Sequence, residues 1–389
     1  MLNALHWQTI EIIDLMKRYC KNVDLTNIHF LTICAEDCLK TKWNRRDTLR
    51  YFMRITGRDE KEVKLLIEGG GKNDLVLIAA QHMKNEIEAR RLNLTPIWYK
   101  EKVDASSRKI RKIGIQDVSQ QLYDYVAVYA MQDLMRRIGE YQCASIPGRG
   151  PVWGKRHVQR WLKDKQIKYV AQLDVKKCFP SIPQDKIIAM IDKYVANDDV
   201  RWLVRELIKT FETGLSIGSF LSQYLCNLYL SQLYHEISEN MYYIRRGKRI
   251  NYVKHVLFYM DDILLLGCNA KQMHKCVNAV IAYSREKLGL EIKSTWTVKK
   301  IDNSSFIDTM GFRIYRDRVT IRRRVFLRAR RTYKRAIKRG MSVQRARRCI
   351  SYVGCIKHTN SVRFAKKYNI YKTVRRARRV ISDACKSEF

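Results

Sequence analysis

The sequence predicts an α+β fold, and three features carry that reading. Apolar residues recur at helical spacing towards both ends of the chain. Short aromatic and aliphatic runs bounded by turn formers read as strands in its middle. One of these runs, Val256 to Leu266, holds two adjacent aspartates, Asp261 and Asp262, and is closed by Gly267. Neighbouring carboxylates repel, and burying one without a partner is expensive. A bound divalent cation makes such a pair tolerable. A solvated hairpin tip does so equally well, and the local sequence leaves both readings open.

Composition narrows the function class. At 389 residues and 46% apolar, the chain can bury a substantial core and hold two or three subdomains. A net charge of +38 opposes compaction unless a polyanion offsets it, so nucleic acid or an anionic membrane surface is the implied partner. No apolar run approaches the roughly 20 residues that span a bilayer. The start, Met1 to Trp7, lacks a basic stretch followed by an apolar one, so a cytoplasmic protein with no membrane partner is expected. Among eleven cysteines only Cys34 and Cys38 stand close, and without a second pair they read as reduced core thiols rather than a zinc site.

Residues 1–95 read as helical. Trp7, Ile10, Ile13 and Met16 start an amphipathic pattern that continues over Asp47–Ile55, Glu60–Ile67 and Leu75–Arg91. Asp59 and Glu62 have the spacing of a capping box, and Gly69-Gly70-Gly71 breaks the pattern. From 96 to 116, Trp98 and Tyr99 alternate with Lys100, Lys102, Arg108, Lys109, Arg111 and Lys112. That mix suits a surface that tracks a phosphate backbone and stacks bases, or a solvated basic hairpin. Asp117–Ile138 predicts one long helix. Ser145 to Pro151 is a turn-rich loop with Arg149 in it and Lys155 just beyond, cations that can approach a triphosphate.

Tyr169 to Leu173 alternates as a strand and ends in Asp174. Asp185–Val195 and Val200–Phe211 predict helices. Gly214 to Gln223, with Ile217 and Gly218 at its centre, is a small-residue loop that runs into a helix. A helix over Lys271–Leu288 and a tight strand pair over Ile307–Ile314 follow. Beyond Arg322 only Asp383 and Glu388 are acidic, while apolar residues still recur at helical spacing. This predicts a folded basic helical module suited to gripping a duplex.

Three aspartates, one at a strand end and two in a hairpin, with a small-residue loop between them and basic modules on both sides, form an ordered set. Two divalent ions bridging such carboxylates and a triphosphate would activate an attacking 3′-hydroxyl and neutralise a leaving pyrophosphate. Hard oxygen ligands favour Mg²⁺, with Mn²⁺ as a substitute. At this point the sequence resembles a reverse transcriptase of the bacterial retroelement type, over about Tyr99 to Lys372. Leu173 to Ile182 resembles the first palm motif, and Tyr259-Met260-Asp261-Asp262 the signature hairpin.

The resemblance implies a right-hand polymerase with an extra N-terminal helical region. Its divisions would be 1–95 helical, 96–315 fingers and palm with an antiparallel sheet, and 316–389 a basic helical thumb. It makes Asp174, Asp261 and Asp262 metal ligands, and Lys293 a general acid for pyrophosphate. It implies nucleotide contacts for Arg149, Lys155, Phe179, Ile217, Gly218 and Gln223, with Phe179 excluding a ribose 2′-hydroxyl. It implies nucleic-acid contacts for Lys109, Arg111, Tyr259, Gly311 in a primer-grip turn, Arg323, Arg324, and Lys357 in a thumb segment. The expected partners are a noncoding RNA template, its cDNA product and dNTPs, with an accessory protein or a second copy of the chain left open.

One departure points to a subgroup. Most of the family has Pro-Gln-Gly and then Ser-Pro in the central loop, where this chain has Ser216-Ile217-Gly218 and then Ser222-Gln223. That pattern is similar to diversity-generating retroelements and to bacterial enzymes associated with phage defence. The long N-terminal region favours the defence-associated group. A template-independent or protein-primed polymerase, and a noncatalytic RNA-binding scaffold, remain the alternatives.

Overall fold

The computed structural model describes residues 17–103 and 110–386. The residues from Trp7 to Met16, and Arg108 and Lys109, therefore lie outside the described residues. The chain divides into two units by contact. One gathers Met1–Glu140, Val175–His235 and Val280–Lys293; the other gathers Tyr141–Asp174, Glu236–Ala279 and Ser294–Phe389.

Among the described residues of the first unit the helical pattern becomes four helices, Ile28–Leu39, Arg46–Thr56, Glu60–Glu68 and Lys72–Glu88. The capping box forms at the third: the backbone N–H groups of Asp59 and Glu62 each donate to the other's carboxylate at 2.9 Å. Helix Arg46–Thr56 buries Leu49, Tyr51 and Phe52, and Gly57 ends it at φ +69°, where a glycine has no Cβ penalty. Strands β1 (Trp98–Val103) and β2 (Ile110–Ile115) form an antiparallel hairpin.

The long helix expected over Asp117–Ile138 is cut short. An α-helix runs over Val118–Ala130, and Gln132–Arg137 tightens to a 3-10 turn. The tighter turn aligns positions three apart, which brings Met131 and Leu134, both fully buried, to one side. Helices Gln184–Tyr194, Asp198–Lys209 and Phe220–His235 complete the unit's main helices. The last is apolar on nearly every side, and Leu221, Leu225, Leu228, Leu230 and Leu233 are all buried, as a central helix requires.

The second unit is built on a five-stranded sheet. Its strands are β3 (Gln142–Cys143), β4 (Tyr169–Asp174), β7 (His255–Tyr259), β8 (Asp262–Gly267) and β9 (Thr297–Lys300), in the order β3-β7-β8-β4-β9. β8 runs antiparallel to both β7 and β4, β4 antiparallel to β9, and β3 parallel to β7. Strands β5 (Tyr242–Arg245) and β6 (Lys248–Asn251) make a separate exposed hairpin that the sequence did not predict. Strands β10 (Ile307–Thr309), β11 (Phe312–Ile314) and β12 (Val319–Ile321) form a three-stranded sheet.

Helix Pro151–Leu162 and the three-stranded sheet share one apolar core with the five-stranded sheet. Val158, Trp161 and Leu162 meet Val170, Leu257, Leu264 and Leu266, with Phe312 and Ile314. The basic segment after Arg322 is helical, over Arg323–Lys338, Val343–Lys357, Val362–Lys367 and Ile370–Lys386. Its core is made largely of small residues, including Ala329, Ala336, Ala346 and Ala377 around fully buried Tyr333, whose hydroxyl donates to the Cys349 carbonyl at 2.7 Å. Small core residues leave the long cationic side chains on the outside. Among the described residues no helix is long and apolar enough to cross a membrane.

Candidate active site

The three aspartates fall in the second unit, and the strand register relates them. Asp174, the last residue of β4, stands opposite Asp262, the first residue of β8. Asp262 in turn stands opposite Tyr259 on β7. Directly opposed residues of an antiparallel pair share a face of the sheet. Asp174, Asp262 and Tyr259 therefore line up across three strands on one face. Further along the same face Val170, Leu257 and Leu264 are buried in the core. The carboxylates thus mark the open end of a face whose other end is apolar.

The hairpin turn itself is Met260-Asp261. Met260 adopts φ +53°, a left-handed conformation costing roughly 1–2 kcal/mol in a residue with a Cβ. Neighbouring backbone holds it there. Met260 N donates to Cys143 O at 3.2 Å, and Phe258 N to Tyr141 O at 3.0 Å, so β3 pins the strand that leads into the turn. Asp261 is half-buried and Asp262 exposed. Of the two local readings, the backbone is thus a hairpin tip at the solvent end of the run. Burial raises the pKa of Tyr259, with Cys143 and Asp262 adding to it.

The donor set fits a hard cation. Among the described residues no three His, Cys, Asp or Glu side chains form a ready-made cage. Mg²⁺ seldom needs one, because it is usually bound through one or two carboxylates with water and phosphate oxygens filling the remaining positions. Two facing carboxylates at a solvent-open strand end, with a third next along the chain, meet that description.

Other candidates in this unit occupy several settings. Lys155 lies on helix Pro151–Leu162 and is only 7% exposed. Its ammonium donates to the carbonyl of His358 at 3.3 Å, at the C-terminal cap of helix Val343–Lys357. The negative end of a helix dipole suits a cation there. Burial lowers the pKa of Lys155, and neighbouring Arg156 adds to the effect. Its ammonium is thus directed at a backbone carbonyl rather than at open solvent. Arg149 holds its guanidinium 5.7 Å from the Trp153 ring. Gly311, at φ +85°, is the second residue of the β10–β11 turn, and its carbonyl accepts from Arg322 N at 3.1 Å. Arg323 and Arg324 are exposed at the start of their helix, and Lys357 is exposed in the last turn of its own.

The remaining candidates gather in the first unit, around the loop Gly214–Ser219. Leu215 N donates to Phe179 O at 2.8 Å, and Gly114 N to Ile217 O at 2.7 Å. Gly218, at φ +119°, lies so close to β2 that a Cβ would stand 2.4 Å from the Gly114 carbonyl. The loop is thus stitched on one side to Phe179 and on the other to β2, bringing Phe179, Ile217 and Gly218 together. Gln223 is half-buried on the helix that follows. Lys293 is half-buried beyond Ile292, which bridges Val175. Arg111 is exposed on β2 opposite Lys102.

One residue that organises this loop escaped sequence reasoning. Asp124 is fully buried in helix Val118–Ala130. One of its carboxylate oxygens accepts from Ser219 Oγ at 2.7 Å, Phe220 N at 3.1 Å and Leu221 N at 3.3 Å. The other accepts from Gln116 Nε2 at 3.4 Å. Asp124 therefore caps helix Phe220–His235 from outside and fixes the loop that enters it. Burial pushes its pKa up to about 6 despite these donors. In the sequence it is one polar residue in an amphipathic pattern, and only its complete burial separates it from a solvated one. For the β5–β6 hairpin the missed signal was Arg246-Gly247 between short β-prone runs; both residues adopt positive φ, +51° and +72°.

A family model described as reverse transcriptase (RNA-dependent DNA polymerase) matches residues 100–314, more than half of the chain. No curated protein matches it.

Proposed function

Because this chain belongs to the reverse transcriptase family and is an RNA-directed DNA polymerase, a nucleotidyltransferase, we propose that it copies a structured noncoding RNA into DNA at a site built on Asp174, Asp261 and Asp262. The observation that carries the reading is the register of β4 against β8, with Asp174 facing Asp262 and Asp261 in the adjoining turn. When bound, a pair of divalent cations would supply Lewis acidity, lowering the pKa of the primer 3′-hydroxyl and offsetting charge on the pyrophosphate. The chain's own groups do the rest. The aspartates would hold the cations at the open end of the sheet face. Lys293 gives a proton to the departing pyrophosphate. Phe179 packs against the incoming sugar and excludes a 2′-hydroxyl, and the loop at Ile217–Gly218 backs the nascent base pair. Fingers, palm and thumb correspond in this proposal to the hairpin-bearing segment, the five-stranded sheet and the basic helices after Arg322.

The decisive experiment is Mg²⁺-dependent primer extension with Asp174→Asn and with Asp261→Ala/Asp262→Ala. Incorporation should vanish in both while RNA affinity survives, and persistent incorporation would overturn the assignment. Sequencing the RNA and DNA that copurify with the protein identifies template and product.

The loop at Ile217 supports a place among the defence-associated or diversity-generating enzymes, and the helices before residue 95 favour the first. An aliphatic side chain cannot make a glutamine's hydrogen bonds beside a base pair, so template fidelity is relaxed in this reading. Ile217→Gln should lower misincorporation in a primer-extension assay; an unchanged error rate rejects the idea.

A further inference from the structure

The β5–β6 hairpin has no part in the chemistry described above. From Tyr242 to Asn251 it holds four cations, Arg245, Arg246, Lys248 and Arg249, and no carboxylate. All four are exposed, and among the described residues none is held in an ion pair. The register distributes them over two faces. Arg245 stands directly opposite Lys248, on the face that also carries Tyr243 and Ile250. Arg249 stands opposite Ile244 on the other face, and Arg246 lies in the turn at the tip. Like charges directly opposite each other destabilise a strand pair, so Arg245 and Lys248 work against the hairpin that carries them. Ile244 is 62% exposed beside them.

A two-stranded ribbon is marginal by itself, and the fastenings of this one gather at its base. Tyr252 N donates to Met241 O at 2.9 Å, and Met241 and Val253 are buried. Asn251 Nδ2 donates to the Ser238 carbonyl at 3.1 Å, inside a single π turn over Glu236–Asn240. Such turns recur at functional sites. Tyr243 stacks on Tyr252 with ring centroids 6.0 Å apart, and the Arg249 guanidinium lies 3.9 Å from the Tyr242 ring centroid. The ribbon is thus anchored at one end and presents its charge at the other.

A ribbon lying flat on a polyanion needs cations on one face only. Cations on both faces and at the tip suit insertion between two walls of phosphate, and a nucleic-acid groove admits a two-stranded ribbon. The major groove of an unbroken RNA helix is too narrow for that, whereas a bulge opens it and unstacks bases. We propose that the β5–β6 hairpin enters the groove of a structured RNA at a bulge, with phosphates on Arg245 and Lys248 along one wall and on Arg249 along the other, Arg246 leading, and Ile244 against an unstacked base. The inference rests on the reading of this chain as an enzyme that copies structured RNA, which selects RNA over duplex DNA. Only Tyr252, Val253 and Lys254 separate β6 from β7, the strand that leads into the turn at Asp261. An RNA held here is therefore held through the strand that carries the catalytic hairpin.

The test uses the full chain and two labelled RNA hairpins with the same stem, one bulged and one fully paired, with affinity measured across a salt series. The bulged stem should bind about tenfold tighter. Arg245→Ala/Lys248→Ala should weaken its binding about tenfold or more. The log–log salt slope should fall by about 1.8, since each phosphate contact on a duplex contributes roughly 0.9. Arg245→Lys should keep that slope. Ile244→Ser should erase the preference for the bulged stem and leave the slope unchanged. The double alanine variant should melt no lower than the unaltered chain, because a cross-strand repulsion is removed. Primer extension on a preformed template–primer with no bulged stem should match the unaltered chain, so that failure here is read separately from failure of the active-site assignment. The proposal is overturned by an unchanged salt slope in the double variant, or by equal affinity for the paired stem or for duplex DNA. It is overturned equally by light scattering that shows a dimer dissolved by the double variant, since the surface would then belong to a second copy of the chain.

Discussion

The hairpin at Tyr259–Asp262 and the hairpin at Thr309–Phe312 use nearly the same backbone device. Each joins its strands through a two-residue turn, and each has a methionine with positive φ at the first turn position, Met260 at +53° and Met310 at +52°. They differ at the second. Gly311 there adopts φ +85°, which a glycine does without strain, whereas Asp261 stays outside the left-handed region. They differ also in what lies beside them. Met310 packs into the apolar core so tightly that a Cβ on Gly154 would meet its Sδ at 2.5 Å. The first hairpin instead brings Asp262 opposite Asp174. A tight turn is therefore a means of presenting a residue. The neighbouring strand decides whether the result is a carboxylate pair or a packed corner.

That comparison can be broken most sharply by removing the carboxylates. Asp261→Ala/Asp262→Ala should lower the primer-extension rate at least a thousandfold, about 4 kcal/mol of barrier, with RNA affinity little changed. Thr309→Ala, at the corresponding flank of the second hairpin, should leave the rate within a few fold. If both hairpins respond alike, the distinction fails.

The buried carboxylate in the first unit gives the next largest effect. The folded-state pKa of Asp124 is raised to about 6 from an ordinary 3.8. The folded state therefore keeps a proton that the unfolded chain releases. That contribution is fully present below about pH 4 and is lost as pH rises through 6. Two pKa units correspond to about 3 kcal/mol. Asp124→Asn should flatten the pH dependence of urea-unfolding free energy in that window; the same slope in both proteins would refute the buried titration.

The turns themselves supply the smaller effects. Gly311→Ala places no atom within 4 Å of its new Cβ, so only backbone strain of about 1–2 kcal/mol is expected. Met260→Gly should relieve a similar strain and raise the melting temperature by a few degrees while loosening Asp261 and Asp262, so extension slows as stability rises. A melting temperature that falls in Met260→Gly would show that the methionine side chain contributes more than its backbone conformation costs.

Some of this was legible in the residues. The Asp59–Glu62 capping box formed as its spacing predicts, because both bonds lie within one helical turn. The alternation of Tyr169 to Leu173 and the apolar run around Asp261 became β4, β7 and β8 for an equally local reason. The chain from Arg322 onward reads as helical because its small and apolar residues recur at helical spacing among the cations. The 3-10 turn after Ala130 was not legible, since the burial of Met131 and Leu134 depends on what packs over them.

What the sequence by itself determined was therefore the local geometry, the charge and the three aspartates in their order. Those follow from backbone propensity, periodicity and residue chemistry within a few positions. Only the tertiary structure decided that Asp174 faces Asp262, that Asp124 holds the loop before helix Phe220–His235, and that Lys155 turns its ammonium to His358. Each of these joins positions far apart along the chain. Strand register and burial are properties of the packed whole, and no local pattern encodes them.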